Sequence, residues 1–182
     1  FKKNKITKKD KNKKIEKENA TGIHIIDNMI NKALKYGYLH HIERLMYLGN
    51  FFLLCQIDPK EVYQWFQEMF IDSYDIFMVP NVLGMTQHVD KGRMMTRPYF
   101  SSSSYILRMS NYDKNHVIEL KSGEYKWTDV WDALYYNFID DNKKYLRKNY
   151  ATSLLVKHWD NKTNNEKKEI KKISKEYFKE YF

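Results

Sequence analysis

The sequence is poor in cysteine, proline and glycine, with one, three and six of them among 182 residues. A lone Cys55 excludes an internal disulfide and any cluster held by several thiolates of this chain, so nothing points to an oxidising compartment and a reducing one is expected. So few glycines and prolines speak against a turn-dense all-β fold, and an aromatic content of 16% speaks against disorder. Long apolar runs are missing too. The longest, Leu45 to Leu54, is short and interrupted by Gly49 and Asn50, and no signal segment opens the sequence. The expectation is a soluble protein with no membrane partner. Neither an internal repeat nor the H-E-x-x-H spacing of a zinc protease is found, and no metal site is expected.

What is present is hydrophobic residues at 42%, including fifteen Tyr, ten Phe and four Trp, enough for one sizeable core. The net charge of +9 is uneven: residues 1–19 carry nine Lys against three acids, residues 161–182 carry seven Lys against four, and the middle is neutral. A Lys/Asn-rich start without apolar periodicity reads first as a solvated arm or linker and second as a phosphate-binding arm. Three regions result: the arm at 1–19, a helical domain at 20–160 and a charged terminal helix at 161–182. Because the first residue is Phe, a fragment or processed chain is expected.

The fold class expected is all-α. Ile23, Ile26, Met29, Ile30, Ala33 and Leu34 recur at helical spacing and stop at Gly37. A second helix from Leu39 to Gln56 is apolar on most sides after Leu45, as in the middle of a bundle. Asp58-Pro59 with Glu61 supplies a cap, a first-turn proline and an acid for a third helix over EVYQWFQEMFID. Coil is expected from there to Tyr99. Serines 101–104 suit the start of a helix through Met109, HVIELKSGEYKW a small hairpin, and Thr128 or Asp129 a helix through Phe138. Another helix is expected over Asp141 to Lys157, and Ile170, Ile173 and Tyr177 mark a solvated terminal helix.

Few residues offer chemistry. His40 and His41 point about 100° apart on a helix, so they do not share an ion, whereas His41 and Arg44 share a face that suits a proton donor beside a phosphate or carboxylate. Trp65 and Phe66, with Phe70, read first as core. Residues 79–99, VPNVLGMTQHVDKGRMMTRPY, hold two prolines, two glycines and three methionines. Pro80, Pro98, Gly84 and Gly92 fit a backbone built for one conformation. Asn81, Gln87 and His88 offer hydrogen bonds, and Lys91, Arg93 and Arg97 a local basic cluster. Tyr99, Phe100 and Tyr105 interleave rings with those cations, a mixture suited to bases and phosphates.

The words GYLHHIERLMYLGNFFLL, IDPKEVYQWF, VPNVLGMTQHVDKGRMMTRPY, SSYILRMSNY and ALYYNFI, in that order, resemble the C-terminal helical half of the bacterial-type iron-sulfur (6-4) DNA photolyases, over about Thr21 to Tyr150. The resemblance implies a photolyase/cryptochrome-type FAD-binding helical bundle that acts on DNA with pyrimidine photoproducts. It implies that His41 is the active-site histidine, that Tyr99 and Tyr105 lie near the lesion, and that Trp65, with Phe66 where the family often has tyrosine, belongs to the electron path to the flavin. Asp72, Asn81 and Gly84 fall in the stretch that wraps FAD. Arg44, Lys91, Arg93 and Arg97 are the DNA-contact candidates.

The departures from the family are specific. Its four cluster cysteines are matched by Ile25, Asp113, His116 and the position near Asp129, so no iron-sulfur cluster is expected. Packing around Tyr125, Trp127 and Trp131 would take over the cluster's cross-linking role. The N-terminal domain and the first half of the flavin-binding helices are also missing, so a separate chain or missing segment is expected as partner. The leading reading is the C-terminal part of a cluster-free (6-4) photolyase or cryptochrome-like protein, a carbon–carbon lyase only together with that part. The alternative is a photolyase-derived, non-catalytic helical subunit with a structural or nucleic-acid-binding role.

Overall fold

The computed structural model describes residues 20–89 and 99–182. The Lys-rich arm, Lys91, Arg93, Arg97, Gly92 and Pro98 lie outside the described residues. The described chain is all-α apart from one hairpin and forms two compact units, one ending at Phe100 and the other comprising Ser101–Phe182.

In the first unit, α1 (His24–Tyr36) buries Ile25, Ile26, Met29, Ile30 and Ala33. Its start is held by Thr21, whose N–H and hydroxyl both donate to Asp27 Oδ1, at 2.8 and 2.9 Å. It stops at Gly37, which takes φ 60° and donates its N–H to Ala33 O. Only glycine adopts that backbone freely. A Cβ on Gly37 would also lie 2.8 Å from Ile71 Cγ2. The expected second helix is present but not uniformly α. Glu43–Gly49 forms a π-helical segment, π1, followed by α2 (Asn50–Leu54), both buried along most of their length. The third, α3 (Pro59–Met69), starts as the sequence suggests: Pro59 is in its first turn and Asp58 accepts from the Lys60 N–H at 3.0 Å.

Within the stretch expected as coil up to Tyr99, residues 75–86 are instead helical, with α4 (Asp75–Met78) running into a second π segment, π2 (Val79–Thr86). Pro80 is the second residue of π2, at its junction with α4, and the helical path continues through it. π1 and π2 pack together at Gly49, where an added Cβ would lie 2.7 Å from Thr86 Cγ2. Gln87, fully buried, locks this approach by donating through Nε2 to Gly49 O and Thr86 Oγ1, both at 3.0 Å. The segment leaves π2 through His88, at φ 50° and edge-on to Phe100.

In the second unit, α5 (Ser103–Met109) is capped from outside its own turn: Asp132 Oδ1 accepts the Ser103 N–H at 2.7 Å, while the N-cap Ser102 side chain makes no cap bond. Strands β1 (Val117–Leu120) and β2 (Gly123–Lys126) pair antiparallel with Val117 opposite Lys126, the expected hairpin. The helix expected to end at Phe138 continues, as α6 (Trp127–Leu146), because Ile139 and Leu146 carry its buried stripe onward without a breaker. α7 is Tyr150–Asp160, started by Asn149 accepting from Ala151 N–H. α8 (Asn164–Tyr181) opens with a capping box between Thr163 and Glu166. It is not simply solvated, since Ile173, Ser174 and Tyr177 are buried and the helix packs on α6.

Trp127 and Trp131, both fully buried, tie the segment before the hairpin to α6. The Trp127 indole donates to Asp113 O at 2.8 Å, its backbone N–H to His116 O at 2.9 Å, and the Trp131 indole to Ser101 O at 3.0 Å. Asp140 gathers three helices: Oδ1 accepts from Trp159 Nε1 of α7 and Lys143 Nζ of α6, and Oδ2 faces Lys171 Nζ of α8 at 2.5 Å.

Candidate functional site

The start of the second helix separates the two histidines. His40 is occupied locally: its N–H donates to Glu43 Oε2 at 3.0 Å and its Nδ1 accepts from the Ile42 N–H at 3.3 Å. Glu43 is fixed in turn by Lys32 at 2.9 Å. His41, one residue on, is exposed, makes no hydrogen bond among the described residues, and opens onto a cleft of about 370 Å³. That volume is at the small end of the range for ligand sites.

Arg44, buried, forms the wall beside His41. Its Nε donates to Leu39 O at 2.8 Å, and its two terminal nitrogens donate to the two oxygens of Asp72 at 2.7 and 3.0 Å. The guanidinium also lies 4.2 Å from the Phe70 ring centroid and 4.9 Å from that of Tyr38. Hydrogen bonds from Arg44 hold the Asp72 carboxyl below its ordinary value despite partial burial. Paired and stacked in this way, Arg44 has its charge matched within the protein.

The floor of the cleft is apolar, formed by Leu45, Phe66 and Val82, and Asn81 brings an amide with no hydrogen-bond partner among the described residues. Behind Phe66 stands Trp65, half-buried, with ring centroids 5.6 Å apart. Phe52 and Phe70 join both rings edge-on at 5.3 to 6.3 Å. On the rim, Tyr38, Tyr74 and Phe77 are exposed, next to exposed Ile71, Ile76 and Val79. Asp75, at the start of α4, is held to α3 by Tyr63 and by Gln67 Nε2 at 2.6 Å. The bond to Asp75 raises the Tyr63 hydroxyl above its ordinary value.

Of the residues singled out in the sequence, His41, Arg44, Phe66, Asp72 and Asn81 therefore line one cleft, with Trp65 directly behind it. Gly84 is buried inside π2 and does not line it. Tyr99 is half-buried in the same unit but also outside the lining, and Tyr105 belongs to α5 in the other unit. Tyr38, Tyr74 and Phe77 were not anticipated, because exposed rings follow no periodicity. The signal available was YDIF, apolar residues after a turn with nothing to bury them.

No family model matches the chain. Over 139 residues it is 36% identical to a (6-4) photolyase of Agrobacterium fabrum, a match covering 76% of this chain and 27% of that enzyme. Over 129 residues it is 40% identical to an uncharacterized protein of Acanthamoeba polyphaga mimivirus, covering 71% of this chain and 94% of the viral one. The chain belongs to one family with the viral protein and is photolyase-related. This photolyase-related chain spans about a quarter of the length of the bacterial enzyme but nearly all of the viral protein. Its two helical units accord with a photolyase-type helical domain. Among the described residues, no group of His, Cys, Asp and Glu could hold a metal ion, and no helix is long and apolar enough to cross a membrane.

Proposed function

We propose that this chain is the C-terminal part of a flavin-dependent, light-driven (6-4) DNA photolyase or cryptochrome-like protein without an iron-sulfur cluster. The observation that carries the reading is the convergence of His41, Arg44, Phe66, Asp72 and Asn81 on one cleft. The 36% identity to a (6-4) photolyase supports it. The donor set fits one face of FAD: an apolar floor for a planar ring, and for a polar edge the Asn81 amide, which has no hydrogen-bond partner among the described residues. Asp72 and Asn81 would hold the flavin, whereas Gly84, buried in π2, lies outside the lining. When bound, reduced FAD would supply the light-driven electron for repair of the photoproduct.

The chain's own residues then have separate tasks. His41, exposed at the cleft, donates a hydrogen bond or proton to the lesion. Arg44 is a positioning residue that fixes Asp72 and the cleft wall. Trp65, reached across Phe66, passes an electron toward the cleft. Tyr99 and Tyr105 contact the lesion, and Lys91, Arg93 and Arg97 face DNA. The exposed apolar rim of Ile71, Tyr74, Ile76 and Phe77 receives the N-terminal part, present as a separate chain or a preceding segment.

Visible absorption of the complete native assembly tests the reading. A flavin band that bleaches under blue light with a reductant is expected, and a colourless assembly would remove the reading. His41→Ala should abolish (6-4) repair while flavin is retained. A second reading, a non-catalytic helical module, is favoured by the viral relative, nearly all of which is matched by this stretch. It predicts the colourless outcome.

A further inference from the structure

From the end of α6 into α7 the chain reads KKYLRKNYATSLLVKH, residues 143–158, with five lysines or arginines and no carboxylate. Two of these cations are matched, Lys143 by Asp140 at 2.9 Å and Arg147 by Asp160 at 2.6 Å. Lys144, Lys148 and Lys157 are exposed and make no ion pair among the described residues. Amid them, Tyr150 is 87% exposed and Leu154 52%. Positions 150, 154 and 157 follow the i, i+4, i+7 spacing of one helix face, over about 10 Å. The opposite face of α7 is committed to the core through Thr152, Val156 and Trp159.

We propose that this face is a nucleic-acid contact in which Lys144, Lys148 and Lys157 meet backbone phosphates and the Tyr150 ring lies against a base or sugar. Exposed cations without an ion pair among the described residues, flanking an exposed ring along the chain, are the combination that binds a phosphate backbone and stacks on it. A membrane surface would require a broader apolar face than Tyr150 and Leu154 provide. A protein partner would look for a cluster of buried apolar anchors, which two residues do not make. The inference rests on nucleic acid being the partner proposed above. It adds a contact surface in the C-terminal unit that is separate in sequence from Lys91, Arg93 and Arg97.

The experiment uses the full chain in the dark, without added flavin, and a fluorescein-labelled undamaged duplex followed by anisotropy over a salt series. Replacing three phosphate contacts, K144Q/K148Q/K157Q, should lower the slope of log K against log salt by about 2.7 and weaken binding about tenfold or more at low salt. Y150A should weaken binding and leave that slope unchanged. The comparison variant K168Q/K172Q/K175Q removes equal charge from the exposed side of α8, and a clearly smaller effect is expected. Thermal melts confirm that these surface variants fold. Equal losses in the two triple variants would overturn the proposal, since they mean diffuse charge. So would absence of duplex binding, or capture by phosphatidylserine vesicles through these lysines without DNA binding. A colourless protein that still binds duplex through this face removes the flavin reading and leaves this one standing.

Discussion

Arg44 and Asp72 face each other as a planar fork against a carboxylate, with two bonds of 2.7 and 3.0 Å. They come from π1 and from the turn after α3, so one pair ties two elements and forms part of the cleft wall. The guanidinium is buried whereas the Asp72 side chain is 47% exposed, which screens the charge but not the geometry.

Asp72→Asn should therefore lower stability by about 1 kcal/mol in urea denaturation. Arg44→Lys should not recover the pair's coupling, because an ammonium cannot make the bidentate bond or stack on Phe70. The folded-state carboxyl of Asp72 is depressed, so the stabilisation is complete above the unfolded carboxylate range near pH 4 and is lost as pH falls through the folded value. The Asn variant should lack that part of the acid slope.

Asp140 gives a second pH signature. Burial pushes its carboxyl up, but hydrogen bonds from Lys171, Lys143 and Trp159 outweigh it and bring it down to about 2. Folded below unfolded means stability that is present above about pH 4 and lost between there and pH 2. Asp140→Asn should cost about 1–3 kcal/mol and flatten the thermal-stability profile in that window.

Gly49→Ala places a methyl 2.7 Å from Thr86 Cγ2, 2.8 Å from Thr86 Cβ and 3.0 Å from Arg44 O. Overpacking of this kind costs about 1–3 kcal/mol. A lower Tm is expected, together with weaker flavin retention in the complete assembly, because π1 carries Arg44 into the cleft wall. An unchanged Tm would mean that π1 and π2 do not meet at this point.

Trp127 separates packing from hydrogen bonding. Trp127→Phe keeps most of the ring volume but leaves Asp113 O without its donor, and should cost about 1–3 kcal/mol. Trp127→Ala with Trp131→Ala empties the centre of the second unit and should lower Tm markedly, each substitution removing about 3–5 kcal/mol. An unchanged melting temperature would remove the idea that these indoles hold the segment before the hairpin on α6.

Elements with chemical punctuation were legible in the sequence: Gly37 ends α1, Asp58-Pro59 begins α3, and HVIELKSGEYKW forms the hairpin, turning at Lys121-Ser122. Those without it were not. A seven-residue stretch such as Glu43–Gly49 is too short for apolar spacing to separate a π turn from an α turn. Pro80 and Gly84 looked like loop markers, yet the first sits at the junction of α4 and π2 and the second is buried inside π2. The resemblance singled out His41, Asp72 and Asn81, and these three line the cleft. It did not locate Tyr38 or Tyr74, because exposed rings carry no pattern until their surroundings are known. The two histidines differ through a local bond: His40 Nδ1 accepts from Ile42 N–H, and His41 makes no hydrogen bond among the described residues.

A π segment is an α-helix that has taken a surplus residue into one widened turn. Residues after π1, Phe51 to Leu54, point into the core, while His41 and Arg44, before and within it, point into the cleft. Deleting one residue between Glu43 and Gly49 would let the backbone heal into ordinary α-helical bonding. Seven residues of the wider turn rotate through nearly the same angle as six α-helical ones, so His41 would keep its phase relative to the core-facing residues. The helix would survive the loss with both faces in register, and only the segment itself, which carries Arg44, would be redrawn.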